Sequence, residues 1–451
     1  MKKRCAAPDP THRNDGPPDV TDTQFQNGTR IIVQRRPGAA SAAVVIALVH
    51  GSRHPLPEHA GLPHLLEHLL FRSAAAAGAE GGGPYHAFEA AGGECNASVG
   101  RELTLLEGLV PAGRAIGLLR AFVAGLQCLD GSTLALQNEC EAIARESEGS
   151  TSGTDTDMEQ QALAGSLGNH GLARAPEGVG SSALSVASVQ AYWRELLHGS
   201  RLCIAVVGDV DEREVVRVSR PLAGLPAGAP IRPSAPAFRA GRLELTHAER
   251  CGQVLWLMPA PAAGAPGFIA SLAANHILGG GLTSRMYRAL RTEAGWCYHV
   301  ASRLEHYSDA GLWWIDARTV PEVLDVCAVR LAHEVHRLAA SGPQPAEIAL
   351  ARDYLTARLC LEEDHPASCA RRLARDALYL GAPRPVASYR DAIAALSATE
   401  VQEIVAHGLE HRFEVVGTPL AGARQPASGT PTPEPGLFVR GRSAAHGGSD
   451  Q

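Results

Sequence analysis

No stretch of the 451-residue chain approaches the roughly 18–20 consecutive apolar residues of a membrane span. The first ten residues carry Lys2, Lys3 and Arg4 but no apolar run behind them, so no secretory signal is expected. Lysine is almost missing: Lys2 and Lys3 are the only two, and every other basic residue is arginine. That bias suggests a high-GC genome and says nothing about mechanism. There is no basic surplus either, since 41 basic against 47 acidic residues give 41 − 47 = −6. A dedicated nucleic-acid binder, with its basic footprint, is thereby disfavoured. Ten cysteines are scattered without a CxxC pair, which excludes an evident disulfide framework. They read as reduced, mostly buried residues of a cytoplasmic protein.

What is present is an ordinary globular balance, 45% hydrophobic and 20% charged. The length exceeds one ordinary core, because cores stop growing at roughly 250–300 residues. Residues 1–24 are polar and Pro-rich and are expected to form a loose leader. Residues 425–451, rich in Pro, Gly, Ser and Thr, are expected to be a disordered tail. The Pro-rich stretch 221–236 divides the rest into domains at 25–220 and 237–424. Strand-like and helix-like segments alternate on both sides of it. Val206-Val207-Gly208 recurs as Val415-Val416-Gly417, 415 − 206 = 209 residues later. Cys95 to Ser98 and Cys297 to Val300 lie 297 − 95 = 202 apart. An offset near 205 suggests two related α+β domains.

Four features could hold chemistry. In His64-Leu65-Leu66-Glu67-His68, positions i, i+3 and i+4 share one helix face. The neighbours Leu62, Leu65, Leu66, Leu69, Leu70 and Phe71 are apolar. Two imidazoles and a carboxylate on so greasy a helix are costly unless paired or metal-bound. Histidines four apart suit Zn²⁺, and the glutamate between them suits a base. The competing reading is a solvated helix face. Glu139 and Glu146, seven apart, share a face of a later helix. Glu146 could supply a third metal ligand, although an acidic solvated face explains the pair as well. Gly92-Gly93 precedes a strand containing Asn96 and Ala97, either a plain turn and strand or an edge that receives an extended peptide. Gly279-Gly280-Gly281 precedes a helix but lacks the GK[ST] ending and does not match GxGxxG, so a nucleotide site is weakly indicated.

Together these segments resemble the pitrilysin/insulinase family of zinc metallopeptidases, the inverzincins. The match spans roughly residues 25–420. Gly61 to Phe71 is similar to the family's GxxHxxEHxxF. Gly92-Gly93 with Asn96-Ala97, then Glu139 with Glu146, then Leu290-Arg291-Thr292-Glu293-Ala294-Gly295-Trp296-Cys297-Tyr298 follow in family order. Pro63 replaces a usual small residue and suits a first helical turn. Thr292 stands where an acidic residue is common.

The resemblance implies two homologous α+β domains, each a mainly antiparallel sheet backed by helices. It implies one Zn²⁺ per chain, held by His64, His68 and Glu146, with Glu67 as general base and Glu139 orienting a ligand. Arg291 and Tyr298 are implied to hold substrate and stabilise the oxyanion. Asn96 and Ala97 are implied to pair with a peptide. A half-length bacterial chain implies a clamshell dimer, most simply a homodimer, with a homologous partner subunit as the alternative. Neither a nucleic acid nor a membrane is an expected partner. A silent subunit, or a module whose histidines are merely buried, are the rival readings. One bacterial branch processes the precursor peptide of pyrroloquinoline quinone, and the run Glu67 to Phe71 fits that branch as it fits others.

Overall fold

A computed structural model describes residues 19–54, 61–72, 89–127, 129, 133–149, 153–175, 185–229, 231 and 233–424. The first half contains strands β1 (Asp19–Gln24), β2 (Arg30–Arg35), β3 (Ser41–Leu48), β4 (Glu94–Val99), β5 (Thr104–Pro111) and β6 (Leu202–Gly208). Its helices are α1 (Leu62–Arg72), α2 (Ala115–Gln127), α3 (Thr133–Gly149), α4 (Gly153–Leu167), α5 (Val186–Leu196) and α6 (Glu212–Ser219). The second half contains β7 (Gly241–Glu249), β8 (Gly252–Ala260), β9 (Cys297–His306), β10 (Gly311–Thr319) and β11 (Phe413–Arg424). Its helices are α7 (Phe268–Leu278), α8 (Leu324–Ser341), α9 (Pro345–Asp364), α10 (Pro366–Leu380), α11 (Val386–Ala395) and α12 (Ala398–Glu410).

The two sheets share one topology. The first runs β1-β2-β6-β3-β5-β4 and the second β7-β11-β8-β10-β9. Each has one parallel pair, β2 with β6 and β7 with β11, among antiparallel neighbours. Start-to-start offsets are 252 − 41 = 211, 297 − 94 = 203, 311 − 104 = 207 and 413 − 202 = 211. The repeat suggested by the sequence is therefore a repeat of structure. Strand β1 is the addition, and it corrects the expected leader. Asp19–Gln24 pairs antiparallel with β2, Asp19 opposite Arg35, so the ordered chain starts before residue 25. Residues 1–18 and the expected tail lie outside the described residues. The Pro-rich stretch enters as a 3₁₀ turn, Arg220–Gly224, and the described residues from 225 to 240 contain neither helix nor strand.

Strands β3 and β6 read as unbroken apolar runs because both faces are covered. Ala42, Val44, Ile46 and Leu48 face a core shared with α1, α2 and α5. Ala43, Val45 and Ala47 face the other way, onto Ala370, Leu373, Ala374 and Ala377 of α10. The second sheet repeats the arrangement. Val254, Trp256 and Met258 of β8 join a core with α7, α8, α9 and α12. Leu255 and Leu257 meet Met158, Ala162 and Leu163 of α4. Each half thus sends one helix onto the back of the other half's sheet. The β4–β5 and β9–β10 turns also meet. Arg53 donates to both Asp309 carboxylate oxygens at 2.8 and 2.9 Å and lies 3.5 Å from Glu102, which accepts from the Ser308 amide at 2.9 Å. Burial pushes the Glu102 carboxyl up, against the pull of Ser308 and Arg53. Among the described residues, no helix is long and apolar enough to cross a membrane.

Candidate metal centre

Helix α1 begins after Gly61, whose φ of 84° is the left-handed conformation glycine tolerates, and Pro63 fits its first turn. Leu62, Leu65, Leu66, Leu69 and Leu70 are each at most 3% exposed and anchor it in the first core. The helix packs on α2, on α3 and on β4. His64, Glu67 and His68 occupy the half-buried remainder of its surface. Helix α3 covers this surface in part, so the solvated-face reading does not hold for His68. There Leu136 and Ile143 are buried, and Glu139, between them, is 7% exposed.

The Nε2 atoms of His64 and His68 stand 3.3 Å apart, with ring centroids 4.9 Å apart and an interplanar angle of 77°. His68 Nδ1 lies 2.8 Å from Glu139 Oε2. When Nδ1–H donates to that carboxylate, Nε2 is left with its lone pair directed toward His64. A carboxylate behind an imidazole in this way fixes the tautomer a metal needs. Two nitrogens at about 2.0–2.1 Å from one tetrahedral Zn²⁺ are themselves about 3.3–3.4 Å apart. The residues present therefore fit zinc in donor type and in the spacing of two ligands. Without a metal the same spacing is a long imidazole–imidazole contact. Glu146 lies on α3, two turns beyond Glu139, and its side chain is outside the described residues. Among the described residues no group of three or more His, Cys, Asp and Glu converges on one metal position.

Strand β4 ends its sheet, so one side of its backbone is unpaired within that sheet. Asn96 sits opposite Glu107 of β5, and Ala97 opposite Leu106. The preceding glycines have separate reasons. Gly92 has φ of 65°, and a Cβ on Gly93 would lie 2.3 Å from the Leu109 carbonyl oxygen. Helix α1 and β4, which is an edge strand among the described residues, are thus neighbours.

Arg291 and Tyr298 belong to the second half. Arg291 lies on a π-helical turn, Tyr287–Glu293, with its guanidinium 5.6 Å from the Tyr287 ring centre. Its Nη1 donates to the Tyr298 carbonyl. Tyr298 sits where the β9–β10 register breaks: His299 pairs with Arg318 and Cys297 with Thr319. Tyr298 is therefore an extra residue in a β-bulge. Cys297 and Val300, three apart, both enter the core, which a period-two strand cannot achieve without that extra residue. The bulge turns Tyr298 outward to 51% exposure. Partial burial and a hydrogen bond to Cys251 push its phenol up, so it stays a donor. Sequence reasoning missed Cys251 and the bulge, because nothing local marks either. The Gly279 to Gly281 run is a packing device. A Cβ on Gly279 would lie 2.3 Å from the Met286 methyl carbon, and one on Gly280 3.0 Å from the His276 backbone.

Comparison with known proteins bears on the family and the fold. Residues 30–122 match the family described as Insulinase (Peptidase family M16), and residues 183–355 match Peptidase M16 inactive domain. A protein named zinc protease from Mycobacterium tuberculosis is 28% identical over 403 residues, covering 87% of this chain and 91% of that one. A zinc protease from Streptomyces coelicolor is 28% identical over 421 residues, covering 88% and 89%. The crystal structure of a protease from Helicobacter pylori superposes with a TM-score of 0.80 at 16% identity, over 90% of this chain and 100% of that one. A structure described as the peptidase M16 inactive domain, from Pseudomonas fluorescens, gives 0.81 at 16%, over 90% and 99%. All of α1, with His64, Glu67 and His68, falls in the first family match, and Arg291 and Tyr298 fall in the second. The chain belongs to the insulinase family, peptidase family M16.

Proposed function

We propose that the chain is a zinc-dependent metalloendopeptidase acting on peptides or unfolded segments. The observation that carries this reading is the His64–His68 pair, 3.3 Å apart at Nε2, with Glu139 behind His68. In the proposal Glu146 completes the ligand set. A zinc ion held there supplies Lewis acidity, lowering the pKa of a water toward ~7 and polarising a carbonyl. Glu67, one helical turn from His64, accepts the water's proton and returns it to the departing amine. Glu139 keeps the His68 ring in the ligating tautomer. The Asn96–Ala97 edge of β4 pairs with the extended substrate and aligns its scissile bond beside α1. Tyr298 donates to the developing oxyanion, and Arg291 holds substrate backbone or carboxylate. Because the Arg291 and Tyr298 pair lies on the second half, we propose a dimer in which one protomer's pair serves its partner's metal. A homodimer is the simplest form, and a homologous second subunit is the other. A cytoplasmic setting and precursor-peptide processing also belong to the proposal.

The test is to purify the full chain, measure bound zinc, and follow cleavage of unstructured quenched-fluorescent peptides with and without a chelator. One zinc per chain and chelator-sensitive cleavage are expected. Zinc without cleavage by any tested peptide turns the reading to a silent or partner-dependent subunit. Absence of bound zinc after reconstitution overturns it.

A further inference from the structure

Cys297 opens edge strand β9, and Cys327 lies in the first turn of α8. Their sulfurs are 3.2 Å apart, and the residues are 4% and 0% exposed. Bonding them requires an approach of only about 1.2 Å, since a disulfide is about 2.05 Å long. The next residue is the bulged, outward-turned Tyr298. On the other side, the Trp296 carbonyl is held by the Thr319 hydroxyl at 2.6 Å. Other buried cysteines have different partners: the Cys369 thiol donates to Gln34 at 2.7 Å, and Cys251 lies beside Glu249 at 3.4 Å.

We propose that Cys297 and Cys327 form a reversible disulfide site, oxidised by a small peroxide, that ties β9 to α8 beside Tyr298. The chemistry balances with hydrogen peroxide. The Cys327 sulfur attacks one peroxide oxygen, an S–O bond forms, the O–O bond breaks, and one water leaves. The Cys297 sulfur then attacks the Cys327 sulfur, the S–S bond forms, and the S–O oxygen departs as a second water carrying the thiol proton. Two thiols give up two electrons and the peroxide takes them. Either thiol can donate in the 3.2 Å contact, so the same balance holds with the two sulfurs exchanged. A small oxidant is required because both sulfurs are covered. The bond would close a loop between residues 30 apart and fix the backbone immediately before the bulge. The proposal does not depend on peptidase activity.

The experiment treats the folded full chain with hydrogen peroxide, blocks remaining thiols after denaturation, and maps peptides by mass spectrometry. A linked peptide joining Cys297 to Cys327 is expected, lighter by two hydrogen atoms and cleaved by dithiothreitol. Cys327→Ser should lose the link, and Cys360→Ser, at an exposed thiol outside the pair, should keep it. If Cys327→Ser fails to fold, Cys297→Ser gives the same reading. Full recovery of both thiols as alkylated residues, while Cys360 is oxidised, overturns the proposal. So does a Cys297 link to any other cysteine in the unmutated chain.

Discussion

The two halves carry the same five-strand topology, yet their equivalent helices are used differently. Helices α1 and α7 each follow the central strand, β3 or β8, and each spans 11 residues. In the first half, α1 leaves a half-buried polar stripe, and its contact with α3 includes His68 and Glu139. In the second half, nine residues of α7 are buried. There the corresponding contact, with α9, is His276 stacked on Tyr354 with centroids 3.9 Å apart. Helices α9 and α12 both pack on α7. Burial pushes the His276 imidazole down, toward its neutral form. The lesson is that the scaffold does not make the site. A carboxylate behind a histidine prepares a ligand, whereas an aromatic ring over it makes core.

The sharpest way to break this contrast is Glu67→Gln. It should keep zinc and reduce peptide turnover by about 10²–10⁴-fold, the usual worth of a positioned acid–base group; undiminished kcat would remove Glu67 from its role. Glu139→Gln should weaken zinc affinity by about 10–100-fold, as loss of a partner behind a ligand generally does. His276→Gln, its counterpart test in the second half, should leave zinc stoichiometry unchanged. Competition with a chromophoric chelator measures both.

The crossed helices offer a test in which the halves should behave alike. Leu163 of α4 and Leu373 of α10 are 0% and 3% exposed, each on the other half's sheet. Either leucine to alanine should cost about 2–5 kcal/mol. Urea unfolding of both variants checks this, and a large effect at one site only would show that the exchange is not reciprocal in energy.

A smaller effect concerns the charges beside α10. Desolvation raises the Glu362 carboxyl to about 8, against the opposing pull of Arg375 and Arg372. Its folded pKa lies above the unfolded value, so stability linked to its proton is complete below the ordinary carboxyl value of 4.5 and is lost as pH rises toward about 8. Glu362→Gln should therefore match the parent at pH near 4.5 and gain in Tm as pH rises. Melting curves across that window, with a gain that shrinks instead, would reverse the assignment.

Much of this was legible in the residues. The apolar run Leu202 to Val207 reads as a buried strand and Ser41 to Val49 as a strand, and the repeat is signalled by Val206-Val207-Gly208 and its echo. The sequence alone also marked His64, Glu67 and His68 as one face, because helical spacing is local. It did not reveal that Asp19–Gln24 is a strand, since that segment is polar and gains its order by pairing with β2. Nor could it reveal the exchange of α4 and α10. Each is an ordinary helix pattern, and which sheet it covers depends on contacts hundreds of residues away.

The sequence by itself therefore determined most of the elements and the shared face of His64, Glu67 and His68, which follow from periodicities of a few residues, and it hinted at the duplication through recurring segments. Only the tertiary structure decided that Glu139 stands behind His68, that Arg53, Glu102 and Asp309 meet where the two halves join, and that a one-residue bulge turns Tyr298 outward. Those outcomes depend on register and on packing between distant segments, where a shift of one residue reverses the face a side chain presents.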